Sequence, residues 1–304
     1  MRRAVCAWPL AALTEAHVDI LRELERAHDE LIVVVTDADE AYTPRLPLSA
    51  GERIARALPV LRAQLKRPFY LLPVKRGALS EAQYATRIRL YAPRFHTFVC
   101  DDEAQASVRA RVLGCAVQTV ALPAAATVHA PGSAVRRGLF VTRAQPFHLG
   151  HRAFVRQILS ELDEVIVLVS KANVSHSVDN PATAGERLEL IQPLLEVEAR
   201  GRYHLCAAPY VDDDGANFAE LALILPPFEA VYTNSPSTAQ LAISDGIRVV
   251  ALAAPLSVSG TEVRRRMIAG EPYDDLLPPE VARALLASPM LARLRALAQP
   301  EARG

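Results

Sequence analysis

Thr142-Arg143-Ala144-Gln145-Pro146-Phe147-His148-Leu149-Gly150-His151 follows the short apolar run Gly138-Leu139-Phe140-Val141 and precedes a segment with Phe154, Val155, Ile158, Leu159 and Leu162 at helical spacing. The pattern predicts a strand feeding an amphipathic helix through a glycine-containing turn. Such a turn leaves backbone N–H groups, and the positive end of the helix, where an anion can sit. Gly150 lets the backbone come close without a side chain in the way. His148 and His151, three residues apart, can turn both rings to that anion. The same two histidines also describe a metal pair or two surface rings. No Cys, Asp or Glu stands beside them at ligand spacing, so the expected metal ligands are none and the anion reading is preferred.

Two further segments follow in fixed order: Thr183-Ala184-Gly185-Glu186-Arg187 and Ser259-Gly260-Thr261-Glu262-Val263-Arg264-Arg265-Arg266. In the second, Ser259, Gly260 and Thr261 cap a helix, offering hydroxyls and N–H groups to phosphate, and Arg264 follows one turn inside. Alone, this is an N-cap followed by a solvated basic face. With the first segment it describes a pocket that holds a nucleoside triphosphate by its phosphates. Val165 to Val169 reads as a strand buried on both faces. A helix over Ala184 to Leu195 and strands near His204 to Ala207, Ala230 to Thr233 and Arg248 to Leu252 continue the alternation. This predicts an α/β fold, a parallel sheet with helices on both faces, with ligands at the carboxyl ends of the strands.

These residues resemble the nucleotidyltransferase superfamily of the His-x-Gly-His type. Within it they are most similar to the archaeal-type nicotinamide mononucleotide adenylyltransferases, over about Arg137 to Leu286. A segment with Pro226, Pro227, Phe228, Val231 and Tyr232, followed by Asn234, shares the likeness. The resemblance implies transfer of AMP from ATP to nicotinamide mononucleotide, giving NAD and pyrophosphate, with Mg2+ carried on the ATP phosphates. It implies that His148, His151 and Arg264 are catalytic. Thr142, Arg143, Gln145, Gly150, Asn234, Ser259, Gly260 and Thr261 would join them in binding ATP. Arg187 would grip the phosphate of the mononucleotide, with Asn217 and Phe218 near the nicotinamide; Phe218, followed by Leu221, Leu225 and Phe228, equally fits a core position. It also implies a homo-oligomer. The sequence departs from the family where a Ser-Ala-Gln becomes Lys171-Ala172-Asn173 and where an Asn-x-Leu-Trp becomes the stretch Asp212 to Phe218. These departures keep open another phosphorylated acceptor in the same chemistry, and a catalytically silent nucleotide-binding regulator.

The first half echoes the second. Gly51-Glu52-Arg53 pairs with Gly185-Glu186-Arg187 at a separation of 134 residues (185 − 51). The same separation pairs His17 with His151, Asp29-Glu30 with Asp163-Glu164, Ile32-Val33 with Ile166-Val167, and Pro47 with Pro181. A fixed period of this length reads as duplication of a whole domain. Two tandem Rossmann-like nucleotidyltransferase domains are therefore expected: a degenerate, non-catalytic copy over 1–130, a catalytic domain over 136–290, and a C-terminal tail over 291–304. In the copy, His148-Leu149-Gly150-His151 becomes Thr14-Glu15-Ala16-His17 and Arg143 becomes Pro9. A negative charge stands where the triphosphate would lie.

Lys plus Arg and Asp plus Glu are both 34 in the 304-residue chain, a formal net charge of zero. That argues against a nucleic-acid binder relying on a global positive field. Cys6, Cys100, Cys115 and Cys206 show no Cys-x-x-Cys spacing, which fits reduced thiols in a cytoplasmic protein. No apolar stretch reaches membrane-spanning length, so no membrane partner is expected. Arg2-Arg3 before Ala4 to Leu13 looks like a short signal peptide, but the repeat aligns Val5 to Ala7 with the first strand of the second domain. Pro123 to Pro131 reads as the inter-domain linker.

Overall fold

The computed structural model describes residues 1–101, 103–122, 126–128, 134–209, 218–253 and 256–299. Asn217, the rest of the stretch from Asp212, most of the expected linker and residues 300–304 lie outside them.

In the first half, β1 (Arg3–Trp8), α1 (Glu15–Leu24), β2 (Glu30–Val35), α2 (Ala50–Gln64), β3 (Phe69–Pro73), α3 (Glu81–Tyr91), β4 (Thr97–Cys100), α4 (Glu103–Leu113) and β5 (Ala116–Thr119) alternate along the chain. Their strands form one parallel five-stranded sheet in the order β3-β2-β1-β4-β5. The second half begins with β6 (Arg137–Thr142), α5 (Leu149–Glu161), β7 (Glu164–Val169), α6 (Ala184–Glu198) and β8 (Tyr203–Ala207). It continues with α7 (Phe218–Ile224), β9 (Ala230–Tyr232), α8 (Pro236–Ser244), β10 (Arg248–Val250), α9 (Gly260–Ala269), α10 (Pro279–Leu286) and α11 (Met290–Ala298). Its sheet is again parallel, in the order β10-β9-β6-β7-β8. Read from the other edge and matched strand by strand, the two orders are identical. The interior strands β2 and β7, each beside the central strand of its sheet, are buried throughout, as runs of Val, Ile and Leu require of a strand covered on both faces.

The agreement reaches single residues 134 positions apart. Leu10 and Ala144 share a left-handed backbone (φ 49° in both), as do Asp37 and Lys171 (50° and 51°) and Tyr42 and His176 (58° and 61°). A buried pair joins Arg3 to Glu30 at 2.5 Å and Arg137 to Glu164 at 2.8 Å. Helices α2 and α6 both start with a capping box, Ser49 with Glu52 and Thr183 with Glu186, and both carry a proline, Pro59 and Pro193.

The chain divides into two compact units, residues 1–135 with 216–228, and residues 136–215 with 229–304. Two expected boundaries move. Helix α7 comes from the second half of the sequence but belongs to the first unit, where the Leu225 carbonyl stands so near Gly51 of α2 that an added Cβ would come within 1.8 Å of it. Lys75 meets Glu220 there at 2.7 Å. The expected tail from residue 291 is mostly helix α11. Met290 and Leu294 are fully buried with Ala182, Leu190, Val263, Met267, Leu277 and Leu285, a core that fixes α9 beside α6. Met290 and Leu294, four residues apart, carry that helix with Leu291 packed beside them, and its short length hides the pattern in the sequence.

Candidate active site

The turn after β6 is built around His151. The backbone N–H of His148, the N-cap of α5, donates to His151 Nδ1 at 3.1 Å, so this nitrogen accepts and the ring proton sits on Nε2. His151 Nε2 lies 3.1 Å from Thr142 Oγ1, which also accepts from the Ala144 N–H at 3.1 Å. Phe140 and Phe147 flank the His151 ring at 5.7 and 4.9 Å. Burial, with a smaller contribution from His148, pushes the His151 pKa well below its ordinary value, in keeping with the neutral tautomer. The two histidine rings stack with centroids 3.6 Å apart. Burial pushes the His148 pKa down to about 4, and its Nδ1 has no hydrogen-bond partner. Gly150 sits tightly here: an added Cβ would lie 3.1 Å from the His148 ring and 3.2 Å from Val258 Cγ1, and these side chains would have to shift by a few tenths of an ångström to admit it.

Helix α9 brings the third motif to the first. Ser259 Oγ accepts from the Glu262 N–H at 3.2 Å and caps the helix. Arg264, only 5% exposed, donates to the Gln145 carbonyl at 2.9 Å, to Asp179 Oδ1 at 2.9 Å and to Thr261 Oγ1 at 3.4 Å. An added Cβ on Gly260 would lie 3.2 Å from that same Gln145 carbonyl. Thr261 and Ser259 are exposed beside it, and so is Arg143. Burial, and after it the nearby charge of Arg143, lowers the pKa of both Arg264 and Arg187, that of Arg187 to about 10. The concentration of positive charge around Arg143 is what an anion would neutralise. Arg265 and Arg266 instead pair with Glu262, Glu271 and Asp275 on the outer face.

Several expected ligands serve the scaffold. The Gln145 side chain is 3% exposed and spends both ends on one backbone residue, Nε2 donating to the Ala182 carbonyl at 3.0 Å and Oε1 accepting the Ala182 N–H at 3.1 Å. It staples the first turn to the start of α6 and is not an ATP ligand. Thr142 is buried and acts through His151. Asn234 is exposed, its Oδ1 accepting from the Leu252 N–H at 2.9 Å.

The largest correction concerns Arg187. Its side chain is fully buried and donates to four backbone carbonyls: Thr183 at 3.2 Å, Arg143 at 2.9 Å, Ser170 at 2.7 Å and Lys171 at 2.9 Å. Four of its five N–H groups are thus spent on the scaffold, and withdrawing them for a phosphate would cost about 1–3 kcal/mol for each carbonyl left without a donor. Phe218 is corrected as well. It is 1% exposed and opens α7 in the first unit, a core residue with no face to offer a nicotinamide ring. Asn217 lies outside the described residues.

Sequence reasoning did not single out Asp179, the carboxylate on Arg264. It sits 75% exposed in the turn before α6, and no spacing pattern marks such a position. Lys171 figured only as a departure from a motif. The structure puts it in a left-handed conformation at the end of β7, its carbonyl held by Arg187.

A cytidylyltransferase-like family model matches residues 139–207. The nicotinamide-nucleotide adenylyltransferase of Pyrococcus abyssi is 39% identical over 167 residues, covering 53% of this chain and 89% of that protein. Those of Pyrococcus horikoshii and Pyrococcus furiosus are 40% identical over 167 residues and 36% identical over 171 residues. They cover 53% and 54% of this chain and 89% and 90% of their own lengths.

Proposed function

The chain belongs to the nicotinamide-nucleotide adenylyltransferase family, and from that premise we propose how its second unit performs the reaction. The protein transfers AMP from ATP to nicotinamide mononucleotide, forming NAD and pyrophosphate. The observation that carries the site is the meeting of the two anion-binding motifs at the Gln145 carbonyl, with Arg143, His148, Thr261 and Arg264 around it.

A phosphate monoester oxygen of the mononucleotide attacks the α-phosphorus of ATP. The bond from that phosphorus to the β-phosphate oxygen breaks, and the electron pair leaves with pyrophosphate. The nucleophile is already anionic at neutral pH, so no strong general base is needed, and catalysis consists of positioning and charge neutralisation. Arg264 and Arg143 take the charge that grows on the leaving group, with the α9 N-terminus and the hydroxyls of Ser259 and Thr261 beside them. Thr142 holds His151 neutral, and His151 supports the stacked His148 ring. Magnesium enters as part of the ATP substrate. Among the described residues no three His, Cys, Asp or Glu side chains gather as ligands, and an ion that keeps several waters suits the phosphates.

The first unit we read as a worn copy without the reaction. Pro9, Thr14, Glu15 and Ala16 stand where Arg143, His148, Leu149 and Gly150 do, and His17 alone keeps its place. Four free thiols, three of them buried, favour a cytoplasmic setting, and no helix among the described residues is long and apolar enough to cross a membrane.

The test is product analysis after incubation with ATP, magnesium and nicotinamide mononucleotide, with the nicotinic acid form in parallel. NAD and pyrophosphate in equal amounts are expected. Absence of any dinucleotide with both mononucleotides, while ATP is still bound, would move the acceptor to another phosphorylated molecule.

A further inference from the structure

With Arg187 committed to backbone carbonyls, the monoester phosphate of the acceptor needs another cation, and the strut itself shows where one stands. One guanidinium bridges the carbonyl of Arg143, at the end of β6, and the carbonyl of Lys171, at the end of the neighbouring strand β7. Both residues carry cationic side chains, and both lie at the carboxyl ends of strands, where a parallel sheet of this class binds its ligands. We infer that Lys171, paired with Arg143, forms the clamp for the acceptor's phosphate monoester, and that Arg187 is the positioning residue that sets the two prongs side by side. The inference rests on the reading of the second unit as an adenylyltransferase.

The first unit supplies a control within the same chain. Arg53 sits where Arg187 does and donates to the carbonyls of Pro9, Thr36 and Asp37, the counterparts of Arg143, Ser170 and Lys171. The strut is kept, but its prongs are a proline and a carboxylate. The Asp37 carboxylate itself pairs with Arg45 at 2.5 Å, and the counterpart of Arg45 is Asp179. Charge is thus reversed at two linked positions: Asp37 with Arg45 in the unit without the motifs, Lys171 and Asp179 in the unit with them. A fold requirement would favour the same charges in both. A positive charge wanted at the end of β7 explains the reversal.

The decisive experiment compares steady-state kinetics of the wild-type protein with Lys171→Ala and Lys171→Arg. A lost charge-assisted hydrogen bond predicts a rise in KM for nicotinamide mononucleotide of about tenfold to a hundredfold in Lys171→Ala. KM for ATP should stay within about twofold, and Lys171→Arg should recover much of the loss. An unchanged KM for the mononucleotide, or an equal rise for both substrates, overturns the clamp. Should the wild-type protein make no dinucleotide, the functional reading falls instead. Calorimetric titration with nicotinamide mononucleotide then decides the clamp on its own: binding weakened in Lys171→Ala upholds it, and equal binding refutes it. Thermal unfolding of each variant separates these outcomes from a folding defect.

Discussion

Arg53 and Arg187 occupy the same place in their two units and tie together the same strand-end carbonyls, whereas the residues 134 positions apart in the turns beside them have little chemistry in common. The three left-handed residues, the buried Arg–Glu pair and the capping boxes also appear in both units. His148, Gly150 and Arg143 have no counterpart in kind. The chain therefore separates what the sheet needs from what the reaction needs. A residue found in both units serves the backbone. One found only in the second is a candidate for the chemistry. By this rule the glycine and arginine opening α6, conspicuous as a motif, are scaffold, and Lys171, conspicuous only as an exception, is not.

The comparison is broken or sharpened first at the struts. Arg53→Met and Arg187→Met each leave several backbone carbonyls without donors and remove a large buried side chain, and a loss of about 3–5 kcal/mol is expected from each in urea unfolding. An Arg187→Met protein of full stability would return that residue to the substrate. The next contrast is between equivalent turn positions. His148→Ala should lower kcat by about a hundredfold to a thousandfold, or 3–4 kcal/mol of barrier. Thr14→Ala should leave it unchanged, and a matching loss in Thr14→Ala would show that the first unit takes part in turnover.

The smallest effect is on acid stability. Burial holds the folded His148 pKa at about 4, against about 6.5 in the unfolded chain. As pH falls from about 6.5 to 4, the unfolded state takes up the proton first. Stability is therefore complete above this window and is lost through it, by about 3 kcal/mol at most. His148→Gln should flatten that part of the unfolding profile measured between pH 7 and pH 4. His17 is shifted in the same direction by burial but opposed by the charge of Asp101, so His17→Gln should flatten it less. The reverse ranking would mean that the stacked pair is not the more acid-sensitive device.

Much of this organisation is legible in the sequence. The 134-residue echo, the alternation of strand and helix, and the capped turns are local patterns, and local patterns survive translation into structure. Gln145 and Arg187 differ from the sequence expectation for one reason. Spacing shows that a polar residue stands at the mouth of a sheet, but whether its donors face substrate or carbonyls is decided by segments far along the chain, Ala182 for one and Arg143 with Ser170 for the other. For Phe218 the core reading is the one that holds, and the Gly51 face in the first unit that receives α7 lies more than 160 residues earlier. Arg264 stands beside the first motif through a bond to the Gln145 carbonyl that leaves no mark in the sequence.

The placement of α7 also sets an order of events during synthesis. The first unit needs residues 216–228, yet its last preceding residue is 135, so 93 residues (228 − 135) must be made before it can be finished. At ribosomal rates of about 5–20 residues per second, this is a wait of about 5–20 s. Through it the Gly51 surface of α2 stands uncovered while β6, β7 and β8 emerge. Neither unit is one contiguous run of chain, the second being closed in turn by residues 229–304, and a ribosome stalled anywhere before Phe228 holds a nascent protein whose earliest sheet still lacks a helix.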